Sequence, residues 1–424
     1  MPRRLALCLL IAWLAWIPTV SAQGPGPQGA PGPGYYGMPP GGPYAGPSTS
    51  MGYDELQPSL QEQLLPSSRG PYDMDPFMDL GIAETFSRSW IRTDYLMMSL
   101  QDPSIPFLGA TPAVIPPATF DPKSFFPAID RVTGARLFQE GRLVNLNDVN
   151  NQNISGLRVT VGIPTRAFTF EASGFTLAES SSNLQFPTFV DVNGISTSGF
   201  TVIPAIPLQQ NGLPSSQDYI LFDQGMNVTY DSNLQGTDAK LVMGALTPNA
   251  GTEVSPIIGF NYMHYGNRLR VTGIDGGSGT SHVIESNANN QVFGPEVGMR
   301  METRGKWMTV GFEPKFTFGI NRMSNRVNTS QIFSPTEADR SIQDGLTRFA
   351  PMIDLSTYAR IRLAENLNLS LGYQFMAMGG VSLSERNIVW NSSSVVTAPP
   401  LIGLRQHTNQ FWMHGINLGL QYQF

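Results

Sequence analysis

Between positions 412 and 424 one face of the chain carries Trp412, His414, Ile416, Leu418, Leu420, Tyr422 and Phe424, while Gly415, Asn417, Gly419, Gln421 and Gln423 fall on the other. A period of two predicts a β-strand with one apolar and one polar face. Positions 365–376 repeat the pattern, with Leu367, Leu369, Leu371, Tyr373 and Phe375 opposite Asn366, Asn368, Ser370, Gly372 and Gln374. Positions 353–363 alternate in the same way, so the two segments form a hairpin with a tight turn at 364–366. A second hairpin pairs 295–304 with 308–320 across Gly305-Lys306. Pro295 and Pro314 lie inside these strands; lacking an N–H, they are expected at a strand entry and at a bulge. Weaker alternation marks 136–146, 156–163, 167–177, 226–231, 237–245, 254–265 and 268–272, and 90–100 is a further candidate.

The connections alternate in length. Turns at 164–166, 232–234, 266–267, 305–306 and 364–366 are short, whereas 178–222, 273–291, 321–350 and 379–409 are long. Short turns on one side and long loops on the other predict an all-β fold, a closed antiparallel transmembrane β-barrel with short periplasmic turns and long extracellular loops. Closure is required because lipid offers the backbone no hydrogen-bond partners. Counting back from a last strand that descends to the periplasm gives about twelve strands from position 136 onward; adding 90–100 requires a missed partner and gives about fourteen. The apolar faces would meet lipid, with Trp307, Phe312, Tyr373, Trp412 and Phe424 at the interfaces. A water-soluble sandwich or barrel would turn the same faces into a core, but it explains neither the loop asymmetry nor the last strand. There Asn417, Gly419, Tyr422 and Phe424 run polar, glycine, aromatic, aromatic, which resembles the terminal strand that the barrel-assembly machinery recognises.

The N-terminus agrees with export. Arg3 and Arg4 precede an apolar run from Leu5 to Ile17, and Val20-Ser21-Ala22 offers small residues for cleavage, so 1–22 reads as a removed signal peptide. Cys8, the single cysteine, would leave with it, so no disulfide framework is expected. Positions 23–85 are a Pro/Gly-rich segment and spacer, too poor in apolar residues to order themselves, with one short helix expected at 59–65; the barrel occupies 86–424. Charged residues make up only 14% and the mean hydropathy is −0.11, as alternating faces should give. Loss of Arg3 and Arg4 takes Lys and Arg from 26 to 24 against 32 acidic residues, a net charge of −8 that argues against nucleic acid as a partner.

Several short stretches in order resemble the β-barrel porin family seven of planctomycete-type bacteria. They are Trp90-Ile91-Arg92-Thr93-Asp94-Tyr95-Leu96, Gly134-Ala135-Arg136-Leu137, Ser232-Asn233-Leu234-Gln235-Gly236-Thr237-Asp238, Gly259-Phe260-Asn261-Tyr262, Phe293-Gly294-Pro295-Glu296-Val297-Gly298, Gly372-Tyr373-Gln374-Phe375 and His414-Gly415-Ile416-Asn417-Leu418-Gly419. The resemblance spans about 90–424 and implies an outer-membrane location and a porin-like label. It departs at Met97-Met98-Ser99, where the family often has a tryptophan-rich run.

The polar faces supply the candidate lumen. Glu296, Arg300, Glu302, Arg304, Glu313, Lys315, Asp354, Arg360 and Arg362 are the expected pore-lining residues. Their mixed charges would either orient polar solutes in a transverse field or pair across strands as structural glue. A loop such as 178–222 folding inward would narrow the passage. Enzymatic signals are poor: His264, His282, His407 and His414 have no metal-ligand spacing, no motif selects a nucleophilic serine, and the 273–279 glycine-rich stretch lacks a phosphate-loop lysine. Asn147, Asp148 and Asn150 suit a polar turn better than a calcium loop. No catalytic residue, metal or cofactor is expected. The favoured function is passive diffusion of small hydrophilic solutes; a closed structural or adhesive surface barrel is the alternative, and a lipid hydrolase is third. Outer-membrane lipid, the assembly machinery and small polar solutes are the expected partners, and no residue marks an oligomer interface.

Overall fold

A computed structural model describes residues 88–110, 125–129, 136–190, 201–210, 213–222, 224–247, 251–275, 280–332, 337–392 and 401–424. All lie in one unit, Met74–Phe424; a second unit, Met1–Asp73, and with it the expected signal peptide and spacer helix, falls outside the described residues. In chain order the strands are β1 (Trp90–Leu100), β2 (Phe125–Ile129), β3 (Arg136–Leu143), β4 (Ile154–Pro164), β5 (Phe168–Leu177), β6 (Ser180–Phe186), β7 (Phe189–Val190), β8 (Thr201–Gln210) and β9 (Leu213–Leu221). They continue with β10 (Met226–Met243), β11 (Thr252–Asp275), β12 (Thr280–Arg304), β13 (Met308–Ser330), β14 (Arg340–Ala364), β15 (Leu367–Ser382), β16 (Ile388–Ser392), β17 (Leu401–Leu404) and β18 (Thr408–Gln423).

An antiparallel sheet of eleven strands runs β11-β12-β13-β14-β15-β18-β1-β4-β5-β10-β6, and β10 also pairs β11. Its first and tenth members are therefore neighbours, and the ladder returns on itself. β5 and β6 pair successive parts of β10, separated by Ala178 and Glu179, so they act as one wall strand and the ring counts ten. The last strand lies between β15 and β1, with Leu371↔Leu418 on one side and Tyr95↔Leu418 on the other.

Period-two patterning decides which face points where. Tyr95, Leu157, Phe260, Val297, Phe318, Leu371 and Leu418 are exposed on the outer face together with Trp307, Phe312, Tyr373, Trp412 and Phe424. An apolar belt of this extent far exceeds the patches that soluble monomers leave bare. The inner face is buried. Strands β11 to β14 run 23 to 25 residues, more than twice the ~9–11 needed to cross hydrocarbon. Their upper halves rise as a crest whose outer face turns polar, with Arg268, Arg270, Arg322 and Arg326. A second sheet, β17-β16-β8-β3-β2 with β7 and β9 beside β8, packs inside this crest. Ile206, Leu208, Phe222, Ile388, Trp390 and Ile402 meet Val228, Tyr230, Leu269, Val271, Ile284 and Val327 of the wall in one core.

Among the described residues the wall has ten strands where twelve are expected, for identifiable reasons. Positions 232–234 and 266–267 are not turns: Ser232 pairs Asn267 and Asn233 pairs Gly266 inside continuous β10 and β11. The Asn233 side chain accepts the Gly266 N–H at 3.1 Å, so these turn-forming residues are spent across the ladder. The 136–146 segment pairs in parallel with β8 in the inner sheet, and 90–100 takes its place in the wall as β1. The expected long loops 273–291 and 321–350 are mostly crest. Pro295 and Pro314 sit at neither a strand entry nor a bulge; the β12–β13 register is continuous, and direct pairing lapses at 294–295 and 299–300, opposite 318–319 and 313–314. A proline has no N–H to give that ladder.

Candidate functional site

The inside of the ring is filled in tiers. Lowest is an ionic tier built by alternate residues of six wall strands, β5, β10, β12, β13, β14 and β15. Arg300 of β12 reaches across to β5, donating to both Glu171 oxygens at 2.7 Å, and its Nε donates to Glu313 of β13 at 2.8 Å. Lys240 of β10 bonds Glu313 and lies 3.5 Å from Glu171. Two cations thus face two carboxylates in a bidentate arrangement that guanidinium geometry favours. Lys315 lies 3.2 Å from Asp354 and 3.5 Å from Glu296, and Gln374 donates to Asp354 at 3.0 Å. Nearer the short turns, Glu302 accepts from Tyr358 at 2.6 Å and bonds Arg360. A cavity of about 70 Å³ remains, lined by residues from all ten wall strands, among them Arg92, Arg158, Glu171, Lys240, Asn261, Arg300, Lys315, Asp354, Gln374 and Asn417.

Seven of the nine expected lining residues therefore meet on the inner face: Glu296, Arg300, Glu302, Glu313, Lys315, Asp354 and Arg360. Arg362 does not join them, and Arg304 touches the group only at its edge, 3.7 Å from Glu302. Arg304 is 63% exposed at the rim beside Glu253, and Arg362 is exposed where the β14–β15 register shifts. Glu171, Lys240, Asp94, Asp238 and Arg158 were not singled out. Their signal was present, since Glu171 alternates with the outward Phe168 and Phe170, but naming them needs the pairing across the ring. In the last strand Tyr422 and Phe424 are exposed, while Asn417 and Gly419 face inward. A Cβ at Gly419 would overlap the Asp94 carboxylate.

Above the ions lies an apolar tier. Leu96, Met98, Met263, Val292, Met352, Met376, Met378, Phe411 and Met413 are buried together. The third tier is the chain itself. At Gly379-Gly380, β15 parts from β14 and turns inward, keeping β18 only as far as Ser382↔Thr408, and the 3-10 turn Ser384–Arg386 lies inside the ring. Gly380 has φ +66°, and a Cβ there would approach the Phe349 carbonyl oxygen to 2.7 Å, so the departure requires glycine.

A chain crossing the interior must find partners for its backbone, and asparagines and a serine of the wall provide them. Asn290 donates to the Ser382 carbonyl at 2.9 Å and accepts its N–H at 2.8 Å; Asn321 donates to Gly380 O at 2.9 Å; Asn267 accepts the Ser384 N–H at 3.1 Å; Ser286 donates to Ser384 O at 2.7 Å. Glu385, buried at the turn, accepts from Ser104 N and Oγ at 3.0 Å, from Tyr230 at 3.3 Å and from Asn267 at 3.4 Å. Burial and the facing carboxylate of Glu385 push the Tyr230 phenol well above its ordinary value. Arg386 clasps Ser104 through two bonds of 2.8 Å. The inner sheet forms the top tier. Its β8 and β9 come from 178–222, so those parts of the segment fold inward while β6 stays in the wall.

A ring of antiparallel strands, greasy outside and polar within, defines the class of membrane-spanning β proteins. The chain belongs to the family described as "Putative beta barrel porin-7", whose model matches residues 90–424. No curated protein matches it. Among solved structures it is similar to the outer membrane protease OmpT from Escherichia coli, at 8% identity over 80% of this chain and 98% of that one, with a TM-score of 0.41. It is also similar to the P. putida toluene transporter TodX, at 9% identity over 80% and 90%, TM-score 0.18, and to a Pseudomonas aeruginosa FadL homologue, at 7% over 79% and 90%, TM-score 0.19.

Proposed function

We propose that the protein is an outer-membrane β-barrel of ten strands, exported by a cleaved N-terminal signal, whose lumen is closed: a non-catalytic surface barrel that holds its crest outside the cell. The observation that carries this reading is the stack of ionic, apolar and backbone tiers across the ring. An aqueous pore keeps its lumen charges in water, whereas Glu296 and Asp354 here are 1% and 4% exposed. Buried charges persist only where paired, and the Arg300–Glu171–Glu313–Lys240 cluster pairs them. Family membership supports the barrel, and the apolar belt supports insertion in lipid.

Passage of small hydrophilic solutes is the second reading, favoured by the family's porin label; it requires the inward turn and both lower tiers to rearrange. Planar-bilayer recording and liposome swelling with small sugars, on refolded protein whose insertion is checked by heat-dependent gel mobility, separate the two. Silence in both assays is expected. Discrete conductance steps or swelling would overturn the closed reading in favour of the second.

A further inference from the structure

Above the apolar belt β14 has a free edge. It pairs β13 from Thr329↔Arg340 down to Met308↔Ile361, but its pairing with β15 begins only at Met352↔Met378. The reason is local: β15 turns inward at Gly379-Gly380, and Pro351 has no N–H to offer there. Among the described residues no strand pairs with the far side of 340–350, although β17 packs close to β14, and Gln343, Asp344, Gly345, Thr347, Arg348 and Phe349 are all exposed. Edges this long are normally blunted by a bulge, a lysine or a cover, because they template pairing with another chain; pairing with β13 is unbroken here and no lysine falls in this stretch.

We propose that this edge pairs antiparallel with the same edge of a second copy, centred on Leu346. Two observations fix the register. The Gly345 N–H bonds the Asp344 carboxylate at 2.8 Å rather than β13, which assigns the odd positions to the set whose backbone groups point outward. Antiparallel self-pairing must oppose outward positions to outward ones, which leaves registers centred on successive residues. Centring on Asp344 would put Asp344 against itself. Centring on Gly345 or Thr347 would face Asp344 with Leu346 or Ala350. Only the Leu346 centre puts Asp344 opposite Arg348 of the second copy, twice, with Leu346 against Leu346 between them. These become the close, non-hydrogen-bonded pairs, where opposite charges and apolar side chains interact best. On pairing, the Gly345 N–H passes from the Asp344 carboxylate to the second copy's backbone, and that carboxylate is released to Arg348.

The dyad of such a ladder is perpendicular to the sheet. In a wall that stands in a membrane it lies parallel to the bilayer, so the two barrels point at one another and belong to facing membranes. This orientation rests on the outer-membrane reading above; the edge pairing itself does not. One ladder of this length buries less than a standard interface, so the test reads proximity and register rather than a stable dimer.

The full chain carrying Cys8→Ala and Leu346→Cys is oxidised in detergent and compared with Cys8→Ala and Gln343→Cys, whose sulfurs the register holds far apart. At least five-fold more disulfide-linked dimer is expected at position 346. Adding Asp344→Arg or Arg348→Asp alone should lower it at least five-fold, and the two together should restore it, since the swapped pairs match again. Equal crosslinking at 346 and 343, or failure of the double swap to restore it, overturns the proposal; heat-dependent gel mobility confirms that each variant is folded. Two vesicle populations with different dyes, each carrying the Leu346→Cys chain, should be tethered to each other. Crosslinking in detergent without tethering would overturn the facing arrangement, and failed flotation with vesicles would instead count against the membrane reading.

Discussion

Replacing Arg300 with methionine tests whether the ionic tier holds the ring together. The side chain is 16% exposed, and its partners Glu171 and Glu313 are at 4% and 5%. Methionine keeps much of the volume but removes both bonds to Glu171 and the one to Glu313, leaving two buried carboxylates to share the single ammonium of Lys240. Removing one member of a buried ion pair costs about 3–5 kcal/mol, because the orphaned charge stays desolvated. Most of that should appear in guanidinium unfolding of the refolded protein followed by tryptophan fluorescence. Adding Glu171→Gln then relieves the excess negative charge and should recover roughly 1–2 kcal/mol, within the usual range for directly coupled neighbours. A loss under about 1 kcal/mol for the single variant, or a double variant worse than either alone, would refute the claim that these charges are mutually compensated in a dry interior.

Glu385→Ala strips the turn Ser384–Arg386 of four hydrogen bonds to a buried carboxylate; about 2–4 kcal/mol of local stability should go, read as lost hydrogen-exchange protection at Ser382 to Asn387, while unchanged protection would contradict the latch. Gly380→Ala should lower the thermal midpoint through left-handed strain of about 1–2 kcal/mol plus the clash with Phe349 O; an unchanged midpoint would mean the turn tolerates another path. Arg304→Ala, at the exposed rim, should alter stability by no more than about 1 kcal/mol, and a larger effect in unfolding curves would mean that Arg304 belongs to the ionic tier. Burial, then Arg386 and Arg405, hold the His407 imidazole below its ordinary value of 6.5. The unfolded chain therefore takes up the proton first, so this contribution is present above that value and is lost as pH falls below it; the thermal midpoint should drop less between pH 7.5 and 5.5 in His407→Asn than in the parent, and equal drops would exclude the histidine.

What the sequence made legible was what lipid imposes. Strands such as β13, β15 and β18 must show apolar residues at every second position inside the bilayer, and their faces were assigned correctly. Outside it the constraint lapses: the crest halves of β10 to β14 carry Asn, Ser and Arg outward, and inward they mix apolar residues such as Leu269 and Val327 with Asn267, Ser286 and Asn290, so the alternation weakens and Gly266 and Asn267 read as a turn. Asn267, Asn290 and Asn321 gave no sign of gripping the chain at 380–384, because that contact depends on where β15 leaves the wall. The ionic tier was half visible. Adjacent strands β12, β13 and β14 revealed their inward charges, whereas Glu171 and Lys240 meet Arg300 only through closure of the ladder between β10 and β11.

The middle tier has a consequence for permeation that does not depend on the latch. Six thioethers, Met98, Met263, Met352, Met376, Met378 and Met413, form much of this septum, and unbranched sulfur side chains repack with little penalty. Such a gasket can yield to an apolar guest by changing rotamers, yet an ion would meet the full cost of dehydration, so on the closed-lumen reading proposed above conductance should stay absent even with the upper turn swung aside. Oxidation of these sulfurs to sulfoxides would wet the septum from within, making the methionines the points at which an oxidant could turn an insulator into a leak.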